Sequence, residues 1–382
     1  MKKIPQFRRR AINYIRRKLS RRVANDDNSQ RIDWWPQKAT RHPLPGAGLT
    51  PDYGEGCNFD LTPEAIEAAS NSPQFAVLEQ FFRSFPPNSL LPDTSRALLY
   101  HLVLAKRPGR LLEIGTYQAG TSQVLATALN RVGSGMLYTI DPFGRDICPP
   151  IIRRWPQALQ DHVRFYPFDS GIFFDKAIHN GIMLDMVFID GNHEIEYAAF
   201  DLACSARVIE PGGLVILDNV NQPGPRHATL QFMRANPEWR PLHTLDNGFP
   251  GTDFFLLQAP GSFIVGDVPR SFGSLNYKPG GEIHSIKLEI EGEVEGTILL
   301  TVYGRAFVYE GPPEEVSRSQ SFPVQTGTRQ TILRLDQPLT CVTAPDAIRS
   351  FRIEIVLAYA PAREGERLHL RSVPRVAPAQ RL

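Results

Sequence analysis

The sequence predicts an α/β domain built on a parallel sheet, followed by a smaller antiparallel β-sandwich domain. Two patterns predict it. Between Arg110 and Asp218 the short apolar runs RLLEIG, MLYTID, VRFYPF, DMVFID and GLVILD alternate with helix-like segments at 119–132, 149–161, 171–181 and 194–208. Strands that are apolar throughout and separated by helices form parallel sheets covered on both faces. After about Gly261 the helical signal fades, and IHSIKLEI, TILLTVYG, TILRLD, FRIEIVLA and LHLRSV alternate polar and apolar residues. That period of two, punctuated by Gly and Pro, marks strands with one buried face. The 382 residues suffice for two or three domains with sizeable cores.

Residues 1–24 form a basic amphipathic arm. Ten Lys or Arg and no acid occur in its first 22 positions, and Phe7, Ala11, Ile15 and Leu19 recur every fourth residue after Pro5. Such a helix can lie on an anionic membrane surface. The shortness of the stripe favours the other reading, a solvated arm or one docked on the rest of the chain. Residues 25–60, rich in Pro, Gly, Asn and Asp and holding Trp34 and Trp35, read as an irregular linker. The α/β domain spans 61–260. It opens with a helical stretch over Pro63–Phe85 and a second over Asp93–Lys106, with Asp93 as N-cap. HTLDNG and DFFLLQ, a few residues apart, suit an antiparallel pair that closes one edge of the sheet. The β-rich domain spans 261–382, and no internal repeat is evident.

Outside the first 22 residues the chain carries 32 basic and 40 acidic side chains. An acidic body is a poor general nucleic-acid binder. No apolar run reaches the ~20 residues that span a bilayer, and the N-terminus lacks the apolar segment of a secretory signal. Cys57, Cys148, Cys204 and Cys341 are scattered singly, which points to a reducing, cytoplasmic setting.

Polar residues collect where the apolar runs end. Glu113 ends the first, and Gly115 follows, permitting a tight turn and close approach of a ligand. The helix starting near Ala119 then offers free N–H groups to an anion such as a carboxylate. Asp141 ends the second run and can accept hydrogen bonds from both hydroxyls of a ribose; Asp169 and Ser170 end the third and can contact an adenine edge. For each acid alone, helix capping is an equal explanation; the recurrence favours a nucleoside-containing cofactor. Asp190 ends the fourth run, and Asp218-Asn219 end the fifth. Two carboxylates and an amide oxygen are a hard ligand set suited to Mg²⁺. His193, three residues after Asp190, is placed to remove a proton from a metal-held hydroxyl.

Residues 110–258 resemble the class I S-adenosylmethionine-dependent methyltransferases. The likeness is strongest to the bacterial subgroup of macrolide-sugar O-methyltransferases and cephalosporin-hydroxylase-like proteins. LLEIGTYQAGTS, YTIDPF, DMVFIDGNHEIEYAAFDL, RVIEPGGLVILDNV and PGPRHATLQFMRANPEW carry it. The resemblance implies a Rossmann-like seven-stranded sheet. It implies that Glu113, Gly115, Tyr117 and Thr121 surround the methionine part of the cofactor, that Asp141 binds ribose, and that Asp169 and Ser170 lie on the adenine side. It further implies Asp190, Asp218 and Asn219 as Mg²⁺ ligands and His193 as general base, where the related catechol enzymes carry a lysine. Ala119 stands where the family commonly has a glycine, and the tyrosine usual soon after the histidine is displaced to Tyr197.

The leading expectation is O-methylation of a sugar or glycan hydroxyl, with a small natural product or phenol as the alternative acceptor. A nicotinamide oxidoreductase is disfavoured by the absence of G-x-G-x-x-G. A non-catalytic glycan-binding or scaffold protein is disfavoured by Asp141, Asp190, His193 and Asp218. The β-domain reads as a packing or dimerisation module ahead of a glycan binder. Tyr303, Phe307 and Tyr309 could stack on sugar rings, but burial in a core is the ordinary fate of aromatics on a strand.

Overall fold

Thr62 and Ser72 start the first two helices. Each side chain accepts from the N–H three residues on, at 3.2 Å, and each is followed by a proline at the first helical position. The chain therefore makes two helices, α1 (Pro63–Ser70) and α2 (Pro73–Phe82), where the sequence pattern predicts one over 63–85. This computed structural model describes residues 50–377 other than 55–56, 84, 86–87, 244–248, 250, 278–280, 326–329, 341–342 and 344. The basic arm, Trp34, Trp35, Cys341 and the linker before residue 50 lie outside the described residues. Helix α3 (Asp93–Lys106) has Pro92 at its N-cap. Asp93 is thus its first residue rather than its cap, with its charge on the positive end of the helix.

The sheet is built from β1 (Arg110–Ile114), β2 (Met136–Ile140), β3 (Val163–Tyr166), β4 (Leu184–Ile189), β5 (Ile209–Leu217), β6 (Arg240–Pro241) and β7 (Phe255–Gln258). Between them run α4 (Gly120–Val132), α5 (Cys148–Ile152), α6 (Gln157–Gln160), α7 (Ser170–His179), α8 (Ile195–Val208) and α9 (Pro223–Ala235). The strand order is β3-β2-β1-β4-β5-β7-β6. The first five strands are parallel, and β7 runs antiparallel to β5 and β6. Two expectations need correction. The helix expected over 149–161 is split into α5 and α6 ahead of Pro156, which disfavours helical backbone in the residue before it. The edge partner of β7 is Arg240–Pro241, upstream of the HTLDNG segment, of which 244–248 lie outside the described residues.

Leu111, Leu112, Leu137, Val187 and Phe188 are fully buried within the sheet, each contributing about 1.5–3 kcal/mol by leaving water. The chain first winds from β1 outward to β3, then resumes on the other side of β1 with β4 and β5. The order thus reverses between β1 and β4, and open α/β sheets bind ligands at such a reversal, at the carboxyl ends of the strands.

The C-terminal part is antiparallel. Strands β8 (Phe263–Val265), β10 (Ile283–Glu291), β13 (Gln330–Leu339), β15 (Leu368–Leu370) and β16 (Arg375–Val376) form one sheet. Strands β9 (Arg270–Tyr277), β11 (Glu295–Val308), β12 (Glu314–Gln325) and β14 (Ile348–Pro361) form the other, in the order β12-β11-β14-β9. Both sheets feed one apolar cluster, with Ile286 and Leu288 from the first and Ile298, Leu300 and Ile353 from the second. Strand β9 packs on α7 and so joins this part to the α/β sheet. Among the described residues no helix is long and apolar enough to cross a membrane.

Candidate active site

The loop after β1 is held by backbone geometry that few residues tolerate. Gly115 has φ +98°, and a Cβ added there would sit 1.9 Å from the carbonyl oxygen of Asp190. Only glycine lets the two strand-end loops cross this closely. Tyr117 (φ 49°) and Ala119 (φ 58°) are also left-handed. The Tyr117 N–H donates to Asp141 Oδ2 at 2.8 Å, and Ala119 donates to the Thr116 carbonyl at 2.7 Å. Ala119, which has a side chain, keeps this conformation at a cost of about 1–2 kcal/mol. It is the N-cap of α4 and offers no side-chain cap, so no side chain of the cap takes the first-turn amides, which a helix start can offer to an anion.

Glu113 is completely buried beneath this loop. Its Oε2 accepts hydrogen bonds from Ser122 Oγ and from Thr139 Oγ1 (2.5 Å for the second), while Oε1 has no partner. Burial pushes its carboxyl up to about 8, against the downward pull of the two hydroxyls. A cationic ligand group would supply the missing partner. Thr121 lies one residue into α4 with its hydroxyl 3.2 Å from Ser89 Oγ.

Asp141 follows β2 and braces both neighbouring loops. Besides the Tyr117 amide, it accepts from Phe143 N at 2.8 Å through Oδ1. A carboxylate has about four lone-pair sites, so two stay available to a ligand. Asp169 caps α7, accepting from Ile172 N at 2.8 Å, so the capping explanation weighed for it is realised. Ser170 faces the buried Asp201 of α8.

Asp190 and Asp218 end the adjacent strands β4 and β5, and their carboxyl groups face each other. Burial raises the affinity of both for protons, and for Asp218 the charge of Asp190 adds to it. Like charges at this range cannot both ionise freely; a shared proton or a cation relieves them. Asn219 (φ 56°) follows directly, with its backbone N–H on the Asp218 carboxylate. Among the described residues no group of three or more His, Cys, Asp or Glu is arranged to hold a metal; the expected ligand set reduces to the facing pair beside Asn219. His193 Nε2 lies 3.8 Å from Asp190 Oδ1 and makes no hydrogen bond. The Asp190 carboxylate raises the proton affinity of the ring, partly offset by desolvation.

The structure therefore brings Glu113, Asp141, Asp190, His193 and Asp218 to one end of one sheet. Sequence reasoning missed Ser122 and Thr139, which hold Glu113, and Gln222, whose side chain faces His193. It also missed Gly224, where an added Cβ would sit 2.0 Å from the His193 carbonyl. A threonine inside the apolar run MLYTID was the available signal for Thr139.

Comparison with known proteins bears on this segment. A family model described as a methyltransferase domain matches residues 112–220. No curated protein matches the chain in sequence. Among solved structures, an O-methyltransferase from Bacillus cereus in complex with SAH is 22% identical over 52% of this chain and 90% of that one, with a TM-score of 0.37. The O-methyltransferase TomG from Streptomyces achromogenes, involved in tomaymycin synthesis and solved with SAM, is 21% identical over 50% and 90%, with a TM-score of 0.36. The SAH-bound Podospora anserina methyltransferase PaMTH1 is 16% identical over 51% and 94%, with a TM-score of 0.35. The chain carries a methyltransferase domain.

Proposed function

We propose that this methyltransferase uses S-adenosylmethionine to methylate a sugar or glycan hydroxyl, with His193 as general base. One observation carries the reading: an imidazole whose Nε2 has no hydrogen-bond partner stands beside two facing carboxylates, across the Gly115 crossing from a loop suited to an anion and a cation. The α4 amides suit the carboxylate of the cofactor's methionine part, and the free Oε1 of Glu113 suits its ammonium. Asp141 would take the ribose, and Ser170 with the end of β3 would flank the adenine.

When bound, the cofactor supplies an electrophilic methyl group on a sulfonium. His193 Nε2 would take the proton of the acceptor hydroxyl, leaving its oxygen to accept that methyl group. Holding the two reactants in line is a large part of such a rate enhancement. Asp190, Asp218 and Asn219 would hold Mg²⁺, the ion replacing the proton that the two facing acids otherwise share; it would acidify the acceptor hydroxyl. A phenolic or polyketide acceptor is the second reading. Tyr197 and Phe200, exposed on α8 just past His193, favour it. The shared apolar cluster of the two C-terminal sheets favours a face-to-face sandwich. Membrane contact, the less favoured reading of the basic arm, is tested by flotation with liposomes of the full chain against a chain starting at Ser29; equal flotation sinks it.

Calorimetric titration with S-adenosylmethionine, with and without Mg²⁺, tests the proposal, followed by methyl transfer to nucleotide sugars, glycans and phenols. Micromolar binding and transfer to a sugar are expected. Absence of binding under both conditions overturns the reading.

A further inference from the structure

We infer, resting on the sugar-acceptor reading above, that the groove between α7 and the outer face of the β12-β11-β14-β9 sheet is a subsite for a neutral glycan. The groove has a volume of about 600 Å³. Its floor follows from the alternation along β11. Ile298, Leu300, Val302 and Ala306 point into the core, so Tyr303 and Arg305 point out. Tyr303 is 48% exposed, against the core burial expected of a strand aromatic. A half-exposed phenol ring on a flat sheet is a stacking platform with a polar edge.

Arg352 lies beside it on β14. Its guanidinium covers the Phe307 ring at 5.3 Å, and its Nε is buried without a hydrogen-bond partner. Arg305 stands directly opposite Arg352 in the strand register. Like charges opposed across strands destabilise a sheet, and Glu315 relieves Arg305. Arg352 is thus a costly residue for the sheet but a useful planar donor for a ligand.

Charge decides the ligand class. Lys176, Arg305 and Arg352 are balanced by Asp175, Glu315 and Glu354 around the groove. A polyanion would find no net attraction, whereas a neutral polyol meets stacking and both donors and acceptors. Lys176 is six residues past Ser170, so the groove begins about 9 Å along the axis of α7 from the cofactor end of the sheet.

The full chain should be titrated with short neutral oligosaccharides of glucose, mannose, galactose, xylose and rhamnose, and with an oligogalacturonate as the acidic comparison. Binding to at least one neutral series is expected. Tyr303→Ala and Arg352→Gln should each weaken it roughly tenfold or more, about 1.4 kcal/mol, with S-adenosylmethionine binding and melting temperature unchanged. No neutral binding, a preference for the acidic series, or undiminished binding by both variants overturns the subsite. If glycan binding fails while methyl transfer to a sugar persists, only the subsite falls. If cofactor binding fails while Tyr303-dependent glycan binding persists, the subsite stands and the methyl-transfer reading falls.

Discussion

Replacing Glu113 with glutamine should make the protein more stable at neutral pH and a weaker binder of its cofactor. Burial lifts the Glu113 carboxyl from 4.5 to about 8 in the folded chain. In the unfolded chain it ionises near its ordinary value, so between pH 4.5 and 8 the folded state holds a proton that the unfolded state has released. Stability therefore falls as pH rises through that window, then levels off. Each pH unit is worth about 1.36 kcal/mol. The group accordingly removes about 3 kcal/mol by pH 7 and about 5 kcal/mol by pH 8 and above. The glutamine side chain keeps an oxygen for Ser122 and Thr139 and cannot ionise. Melting of the cofactor-free protein from pH 5 to 9 should show a wild-type decline that the variant lacks. At about 2 °C per kcal/mol for a chain of this size, the curves diverge by several degrees above pH 7. Calorimetry at pH 7 in buffers of different ionisation enthalpy should show wild-type cofactor binding releasing up to one proton, and weaker binding by the Glu113→Gln protein. Parallel melting curves would refute the account of Glu113 as a buried, proton-holding acid.

His193→Ala should lower turnover by about 10²–10⁴-fold while calorimetry shows unchanged cofactor affinity; near-normal turnover removes His193 from the mechanism. Because the Asp190 carboxylate raises the affinity of the ring for protons, the acid limb of the wild-type rate profile should lie above the ordinary 6.5, the neutral base being lost as pH falls. Gly115→Ala places a methyl group 1.9 Å from a backbone oxygen at φ +98°. It should lower stability by more than about 3 kcal/mol and abolish cofactor binding, read by melting and titration. Asp218→Asn removes one of two facing carboxylates. It should raise the melting temperature at neutral pH, by about 1–2 kcal/mol of stability, and abolish any Mg²⁺ stimulation of transfer.

The strand-end acids were legible because each ends an unbroken apolar run, and a parallel sheet places all such ends on one edge. Glu113, Asp141, Asp190 and Asp218 could therefore be placed from sequence alone. The supporting residues could not. Ser122 meets Glu113 only after α4 folds back over β1, and Gln222 meets His193 only through the packing of α9 on the loop after β4. Strand β12 escaped notice because only Val316, Phe322 and Val324 of EEVSRSQSFPVQ pack on the core, and Glu314, Arg318 and Gln320 interrupt that face, so its apolar alternation is broken. Tyr303 was misjudged for a related reason: a single aromatic does not tell which side of its strand faces the core. The break between α1 and α2 was written in Ser72-Pro73, a cap and first-turn pair whose signal the apolar spacing of 63–85 obscures.

Gly115 presses on the Asp190 carbonyl from one side of the loop after β4, and Gly224 presses on the His193 carbonyl from the other. The backbone carrying Asp190 and His193 is therefore tightly confined by two glycine contacts. A lineage carrying this loop cannot lengthen it or swap either glycine without displacing Asp190 and His193. New acceptors must be accommodated by grafting parts onto the periphery, and a β-rich domain joined through α7 is the kind of graft such a constraint favours.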